Sequence, residues 1–377
     1  MKCKKADIFN FMIAVLWGLL ATGCMVNPVR IGLTSEISGR NAVVGVHGRN
    51  AALLAQDEIN AAGGINGRPL EIMVADGHGT PEGTLEADQQ LIKQGALLLT
   101  GHFTSLEVNG AWDYIEKNNI ILFSATAASP KFQGLKDHFF RLVPVNVVHA
   151  HYLADYAYTT LGLRRAVGII DRDNLAYSNS FKDGFKERFV QLGGEFAAEV
   201  RFSSLANENI RPLLEELRTH SPDVIFFAVT SMNAALISQQ IALMDWPVQK
   251  VSADWAYTEE LLKVGGKTVD GMILVSPFNY DCQTEAFLNF KRKFSDIYGQ
   301  DPSFVAVISY ETMMELARVL RLTGGTTEGL ADELAKPRVI NGLCDTIRTD
   351  EYGDVLRTMY LIEVKHGQFV EIERLEP

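Results

Sequence analysis

The chain is poor in the residue patterns that announce chemistry. It has four cysteines in 377 residues, and no two stand at metal-ligand spacing. No G-x-S-x-G elbow is present, so the nucleophile signature of α/β hydrolases is missing. No G-x-G-x-x-G follows the first apolar run, so the dinucleotide fingerprint is missing too. Val264–Thr268 reads VGGKT, like the end of a phosphate loop, but Leu261 sits where that loop needs its first glycine. His149-x-His151 falls on an expected helix, where positions i and i+2 do not share a face, so it is no metal pair. Runs of lysine and arginine are absent and the formal net charge is −11, which excludes the basic footprint of a nucleic-acid binder. There is no internal repeat, no low-complexity segment and no Pro- or Ser-rich tether. Enzyme, metal, cofactor and nucleic-acid readings thus start without support.

The one long apolar run is Ile8–Ala21, after Lys2, Lys4 and Lys5. It falls short of the about 20 residues a membrane-spanning helix needs, but it suits the core of a signal peptide over residues 1–23. Leu20-Ala21-Thr22-Gly23-Cys24 looks like a bacterial lipoprotein processing site, with Ala21 where that pattern prefers leucine. Cys24 is the expected lipidated residue, which implies a lipid anchor in a membrane. The alternative is ordinary secretion. Residues 1–23 carry three lysines and Asp7, a net +2, so the remainder carries −13. Once Cys3 and Cys24 are set aside, Cys282 and Cys344 remain. An oxidising compartment permits a bridge between them, but sequence distance does not say whether they meet.

The remainder exceeds the roughly 250–300 residues at which one core stops growing, so two domains are expected. Val29–Thr34 reads as a buried strand. Ser35–Gly48, rich in Gly, Ser, Asn and Arg, reads as a loop at its carboxyl end. A helix follows with Ala51, Leu54, Ala55, Ile59 and Ala62 on one face, and Gly63-Gly64 stops it. The alternation then continues. Thr80-Pro81 starts a helix, and Ser105–Asn118 and Asn179–Leu192 are further helices. Ala96–Thr100, Ile120–Ser124, Ala166–Ile170, Glu195–Phe202 and Val224–Val229 are strands. Helices of this length between strands imply right-handed βαβ units and parallel sheets. Thr358–Val364 and Phe369–Glu373, around His366-Gly367, form an expected hairpin. The fold class is therefore α/β, with two doubly wound lobes joined by three crossovers. The expected lobes are 29–143 with 279–347, and 144–278 with 348–377. Ligands of such sheets bind at the carboxyl ends of the strands.

"SEISGRNAVVG" followed by "AALLAQDEINAAGGINGRPLEI" resembles the opening of the leucine/isoleucine/valine-type solute-binding proteins of ABC transporters. That family begins with a strand, a Ser-Gly loop, a helix ending in D-x-I-N-x-x-G-G-I-x-G, and a second strand. The resemblance implies a type I periplasmic-binding fold with a ligand cleft between the lobes.

It also implies site residues. Gly101-His102-Phe103-Thr104-Ser105 is similar to the family's G-H-x-x-S, whose serine holds the ligand carboxylate, which points to Ser105. Without the family, Ser105 is a helix N-cap. Ser124–Pro130 resembles the family's strand-end loop. There Thr126 falls where a backbone carbonyl meets the ligand ammonium, and Ala128 replaces a threonine that contacts both charged groups. Without the family, this is a capping turn. Asp173–Tyr177 resembles a loop whose aromatic closes over the ligand, implying Tyr177; otherwise it is a half-buried core tyrosine. Asp254 matches the acidic ammonium partner, or else caps a helix. Trp255 stands where the family often has a small residue, and Thr230 where it supplies an aromatic.

The resulting expectation is a non-enzymatic, extracytoplasmic solute-binding protein, periplasmic or at the cell surface. It passes an amino-acid-like molecule to an ABC permease by cleft closure and needs no cofactor or metal. The alternatives are a ligand-sensing receptor component, and aromatic acids or amides as ligands.

Overall fold

The structure is a computed structural model and describes residues 27–39, 42–203, 206 and 208–376. The expected signal peptide and Cys24 lie outside them. The first part of the chain runs β1 (Val29–Ser35), α1 (Ala42–Ala61), β2 (Leu70–Asp76), α2 (Pro81–Lys93), β3 (Leu98–Gly101), α3 (Ser105–Asn118), β4 (Leu122–Ser124) and β5 (Phe139–Arg141). Its five strands pair in the order β2-β1-β3-β4-β5, all parallel. The second part runs α4 (Asn146–Asp155), β6 (Arg165–Asp171), α5 (Leu175–Gln191), β7 (Glu195–Phe202), α6 (Ile210–Arg218), β8 (Val224–Ala228), α7 (Ser231–Leu243), β9 (Gln249–Ser252), α8 (Glu259–Gly265) and β10 (Ile273–Ser276). It then continues with α9 (Glu285–Tyr298), α10 (Phe304–Leu322), α11 (Leu330–Leu334), β11 (Arg338–Asn341), β12 (Thr346–Thr349), β13 (Val355–Leu356), β14 (Met359–Lys365) and β15 (Gln368–Leu375).

The second sheet has the order β15-β14-β10-β9-β8-β6-β7. Its β7-to-β10 portion is parallel, and the closing hairpin is antiparallel. The two doubly wound lobes are therefore as expected. A small antiparallel sheet of β11, β12 and β13 was not foreseen; its strands are too short to show a periodic pattern.

The chain passes between the lobes after β5, after β10 and after β13. Two buried arginines fasten these passages. Arg141 donates to Asp354 at 2.9 Å and to the Ser129 carbonyl at 2.8 Å. Arg357 donates to Glu311 at 3.1 Å and to the Leu142 carbonyl at 3.3 Å. A buried charge is tolerated where it is paired and hydrogen-bonded. The first and third crossovers are thus tied to each other rather than hanging as linkers. Cys282 and Cys344 are bonded, with Cα atoms 6.0 Å apart, which fits disulfide geometry.

The apolar rows do what their spacing implies. Phe181, Phe185 and Phe189 are fully buried on α5. Phe185 stacks on Phe226 of β8 with centroids 4.7 Å apart. Each such ring contributes about 1.5–3 kcal/mol by leaving water. Ala51, Leu54, Ala55 and Ile59 are buried on α1, whereas Ala62 lies past the helix end and is exposed.

One boundary departs from expectation for a clear reason. α1 starts at Ala42, inside the stretch read as a loop. Its two glycines serve packing, not chain flexibility. A Cβ at Gly45 would lie 1.8 Å from the Glu36 carbonyl oxygen, and one at Gly48 would lie 2.2 Å from Cζ of Phe103. Only glycine lets the helix come this close.

Candidate functional site

In both sheets the strand order reverses next to the first strand of the βα series: between β1 and β3 in one, between β6 and β8 in the other. Such switch points open a crevice beyond the carboxyl ends of the strands. The candidate residues stand there. Ser105 follows β3, Thr126 follows β4, Tyr177 follows β6, and Asp254 and Trp255 follow β9. All five line one pocket, together with Phe103, Phe304 and Asn174. A second void beside it adds Glu36 and Glu107. Their volumes are about 30 and 40 Å³, room for a few water molecules.

Ser105 opens α3 but does not cap it. Thr104 is the cap: its hydroxyl accepts from the Glu107 amide at 3.2 Å while Glu107 accepts from the Thr104 amide at 2.9 Å. This reciprocal capping box leaves Ser105 one position inside, with its amide aimed out of the helix start. Its Oγ accepts from the Ser129 amide at 3.1 Å. A hydroxyl that accepts there still has its proton to donate. The helix terminus and this serine therefore form a ready seat for a carboxylate.

Beneath that seat, His102 is fully buried in a left-handed backbone conformation at φ 43°. Its Nε2 lies 2.9 Å from Asp88, which also accepts from Thr34 Oγ1 at 2.7 Å. Burial opposes the imidazolium, but the Asp88 charge and hydrogen bond, with Glu107 beyond, raise the His102 pKa above its ordinary value. Burial pushes the Glu107 carboxyl up, against the pull of His102 and its amide donors.

Asp254 supplies the opposite wall. It is 4% exposed and begins a short turn, Asp254–Ala256, while Thr258 takes the cap position of α8. The helix-cap alternative for Asp254 is thus not what the fold uses. Tyr177 donates to Oδ1, and Nδ1 of His149 lies 3.2 Å from Oδ2. Burial first, then the adjoining carboxylate, pushes the Tyr177 hydroxyl well above its usual range. A carboxylate has about four lone-pair positions, so two donors leave it able to accept another.

Two expectations need correction. Asp173–Tyr177 is not an open loop: Arg172–Asn174 is a tight turn and Tyr177 sits in the first turn of α5, which starts four residues earlier than expected. Its tip is tied to Asp254 and its ring meets Trp255 edge-on at 5.4 Å. Tyr177 therefore lines the pocket from a fixed position. Ala128 is not brought to the pocket with the other five; it packs with Val143 and Ala150 in the apolar core, and its carbonyl accepts from the Asn146 amide at 2.9 Å. The Thr126 hydroxyl donates to the Phe103 carbonyl at 2.7 Å, and Thr230 caps α7.

His149 was set aside on sequence because i, i+2 spacing argues against a metal pair. Its role as a partner of Asp254 is visible only once α4 and β9 are juxtaposed. Among the described residues, no group of three or more His, Cys, Asp or Glu is arranged to hold a metal ion, and no helix is long and apolar enough to cross a membrane.

Two α/β lobes that share a pocket at their switch points define the architecture of a ligand-binding protein. The family model described as "Periplasmic binding protein" matches residues 28–368, and the chain belongs to that family. A Leu/Ile/Val-binding protein homolog from Brucella suis is 25% identical over 340 residues, covering 86% of this chain and 87% of its own. A leucine binding protein from Thermotoga maritima has a TM-score of 0.85 at 23% identity, covering 92% of this chain and 99% of its own. A solute-binding protein of an ABC transporter from Rhodopseudomonas palustris, in complex with 3,4-dihydroxybenzoic acid, has a TM-score of 0.82 at 20% identity, covering 92% and 97%.

Proposed function

We propose that this protein captures an amino-acid-like solute between its lobes and presents it to an ABC permease, without chemical turnover. The carrying observation is that Ser105 of one lobe and Asp254 of the other line the same pocket. The ligand carboxylate sits on the Ser105 hydroxyl and the first amides of α3. The ammonium meets Asp254 and the Thr126 carbonyl, a charge-assisted contact. Trp255, Tyr177 and Phe103 supply apolar walls. Contacts to both charges exist together only when the lobes are shut, so ligand shifts the population toward the closed form. The lobes are assigned as 29–143 with 279–347 and 144–278 with 348–377. Residues 1–23 are assigned as signal peptide, with Cys24 as the lipid anchor of an extracytoplasmic protein.

A second reading, aromatic acids as ligand, is favoured by two features. Asp254 already holds Tyr177 and His149, and Trp255 lines the pocket where an aromatic ring could stack on it. The Rhodopseudomonas palustris neighbour is in complex with an acid of this kind. A thermal-shift screen over amino acids, aromatic acids, amides and short peptides separates the two, because a ligand bound only by the folded form raises the melting temperature. Stabilisation by leucine-like zwitterions supports the first reading. Stabilisation by benzoate-like acids alone replaces it. Binding of a membrane-kinase ectodomain instead of a permease would mark a sensor.

A further inference from the structure

A larger void lies beside the Asp254 pocket. Its volume is about 290 Å³. Three chain segments serve both spaces. Val44, Phe304 and Trp255 face the Asp254 pocket, while their near neighbours Val43, Ser303 and Thr258 face the void. The two spaces are therefore neighbours along one cleft, and both lobes wall the second as they wall the first.

The charged groups around this void already have partners: Glu260 accepts from the Ser231 hydroxyl, and the others are ion-paired. Glu259 pairs with Lys263 at 2.6 Å, and Asp301 with Lys291 at 2.8 Å. Nδ1 of His47 accepts from the Ser303 amide at 3.3 Å, and burial lowers the His47 pKa, which keeps the ring neutral. Two hydroxyls are left over, those of Thr258 and Tyr280. Thr258 is 4% exposed, and its hydroxyl has no hydrogen-bond partner among the described residues. It holds the cap position of α8 yet makes no side-chain cap bond. A hidden hydroxyl without a partner is costly and asks for a reason.

We propose that this void is a distal subsite of the cleft. It takes the far end of an extended solute, and that end is neutral and hydrogen-bonding, a hydroxyl or carboxamide group with Thr258 as its partner. The proposal rests on the head-group reading at Ser105 and Asp254. It narrows the solute from any amino acid to one with a long polar side chain rather than a branched aliphatic one.

Calorimetry on the mature chain with leucine, glutamine and citrulline tests it, since all three share one head group and differ in reach and end. Glutamine or citrulline should bind about five- to tenfold more tightly than leucine, the worth of one extra hydrogen bond. Thr258→Val should erase that advantage while leaving leucine affinity unchanged, and Thr258→Ser should keep it. The melting temperature of Thr258→Val should not fall, because valine fills the same space without a hidden hydroxyl. If leucine binds and neither longer ligand gains, or if Thr258→Val weakens all three alike, the subsite is overturned while the head-group reading stands. If none of the three binds the wild type, the head-group reading has failed and the proposal falls with it.

Discussion

The phenolic hydroxyl of Tyr177 donates to the carboxylate of Asp254, 77 positions away in the chain. The pair joins the first turn of α5 to the turn after β9 and fixes where the charged oxygen atoms of Asp254 point. Tyr177→Phe removes one donor from a buried carboxylate. We expect a stability loss of about 1–3 kcal/mol, read as a lower urea midpoint with unchanged slope. A wild-type midpoint would show that the bond is not formed in solution.

Asp254→Asn tests the ammonium contact. Removing one partner of a buried charge pair costs about 2–5 kcal/mol. Leucine affinity should therefore fall by more than tenfold, while benzoate, which has no ammonium, should lose little. Calorimetry with both ligands reads the difference. Equal losses would assign Asp254 to the scaffold alone.

The buried His102–Asp88 pair makes stability depend on pH. The folded pKa of His102 is raised above an unfolded value of about 6.5. Its contribution is complete below that value and is lost as pH rises through the folded pKa. Thermal melts should show a decline in stability above neutrality that His102→Gln flattens. His102→Leu strands a buried carboxylate and should cost about 3–5 kcal/mol.

Asp137 adds a second pH term of the same sign at lower pH. Burial, with Glu116 and Asp354 nearby, raises its pKa to about 6 from 3.8, while a hydrogen bond from the Phe139 amide works against the rise. Its contribution is complete below pH 3.8 and is lost as pH rises through about 6. Because the group is partly open to solvent, the effect should be about 1 kcal/mol. Asp137→Asn keeps the acceptor for Phe139 and should remove that slope. Chemical denaturation at several pH values between 4 and 7 would detect it, and a slope that survives in the variant would assign it elsewhere.

The Cys282–Cys344 bond closes a loop over a sequence separation of 62. Chain-entropy reasoning gives about 4 kcal/mol for a loop of that length. Cys282→Ser, or reduction of the wild type, should lower the melting temperature clearly, and Ellman titration of the denatured, unreduced chain should find neither of these two thiols.

What could be read from the chain followed from local physics. Thr80-Pro81 begins α2, Gly63-Gly64 ends α1, and the phenylalanine row of α5 faces the core. Capping, left-handed turns and helical spacing act within a few residues, so sequence shows them. β15 likewise folds back on β14 through His366-Gly367. Motif spacing also carried Ser105, Thr126, Tyr177, Asp254 and Trp255 to one pocket.

The misreadings share a cause. Gly45 and Gly48 look like loop residues, but they are helical because Glu36 and Phe103 press against them. Their reason lies in partners that no local window contains. Ala128 matched a motif position, yet the core claimed it.

The sequence by itself determined the alternation of strands and helices in the two main sheets, the two-lobed plan and the chemical types at the strand ends, since these depend on neighbours along the chain. Only the tertiary structure decided that His149 and Tyr177 hold Asp254, that Cys282 meets Cys344, and that Thr258 is hidden beside a void. Contacts between residues tens of positions apart are set by how the sheets pack, and that packing energy is shared over the whole core rather than written at any one position.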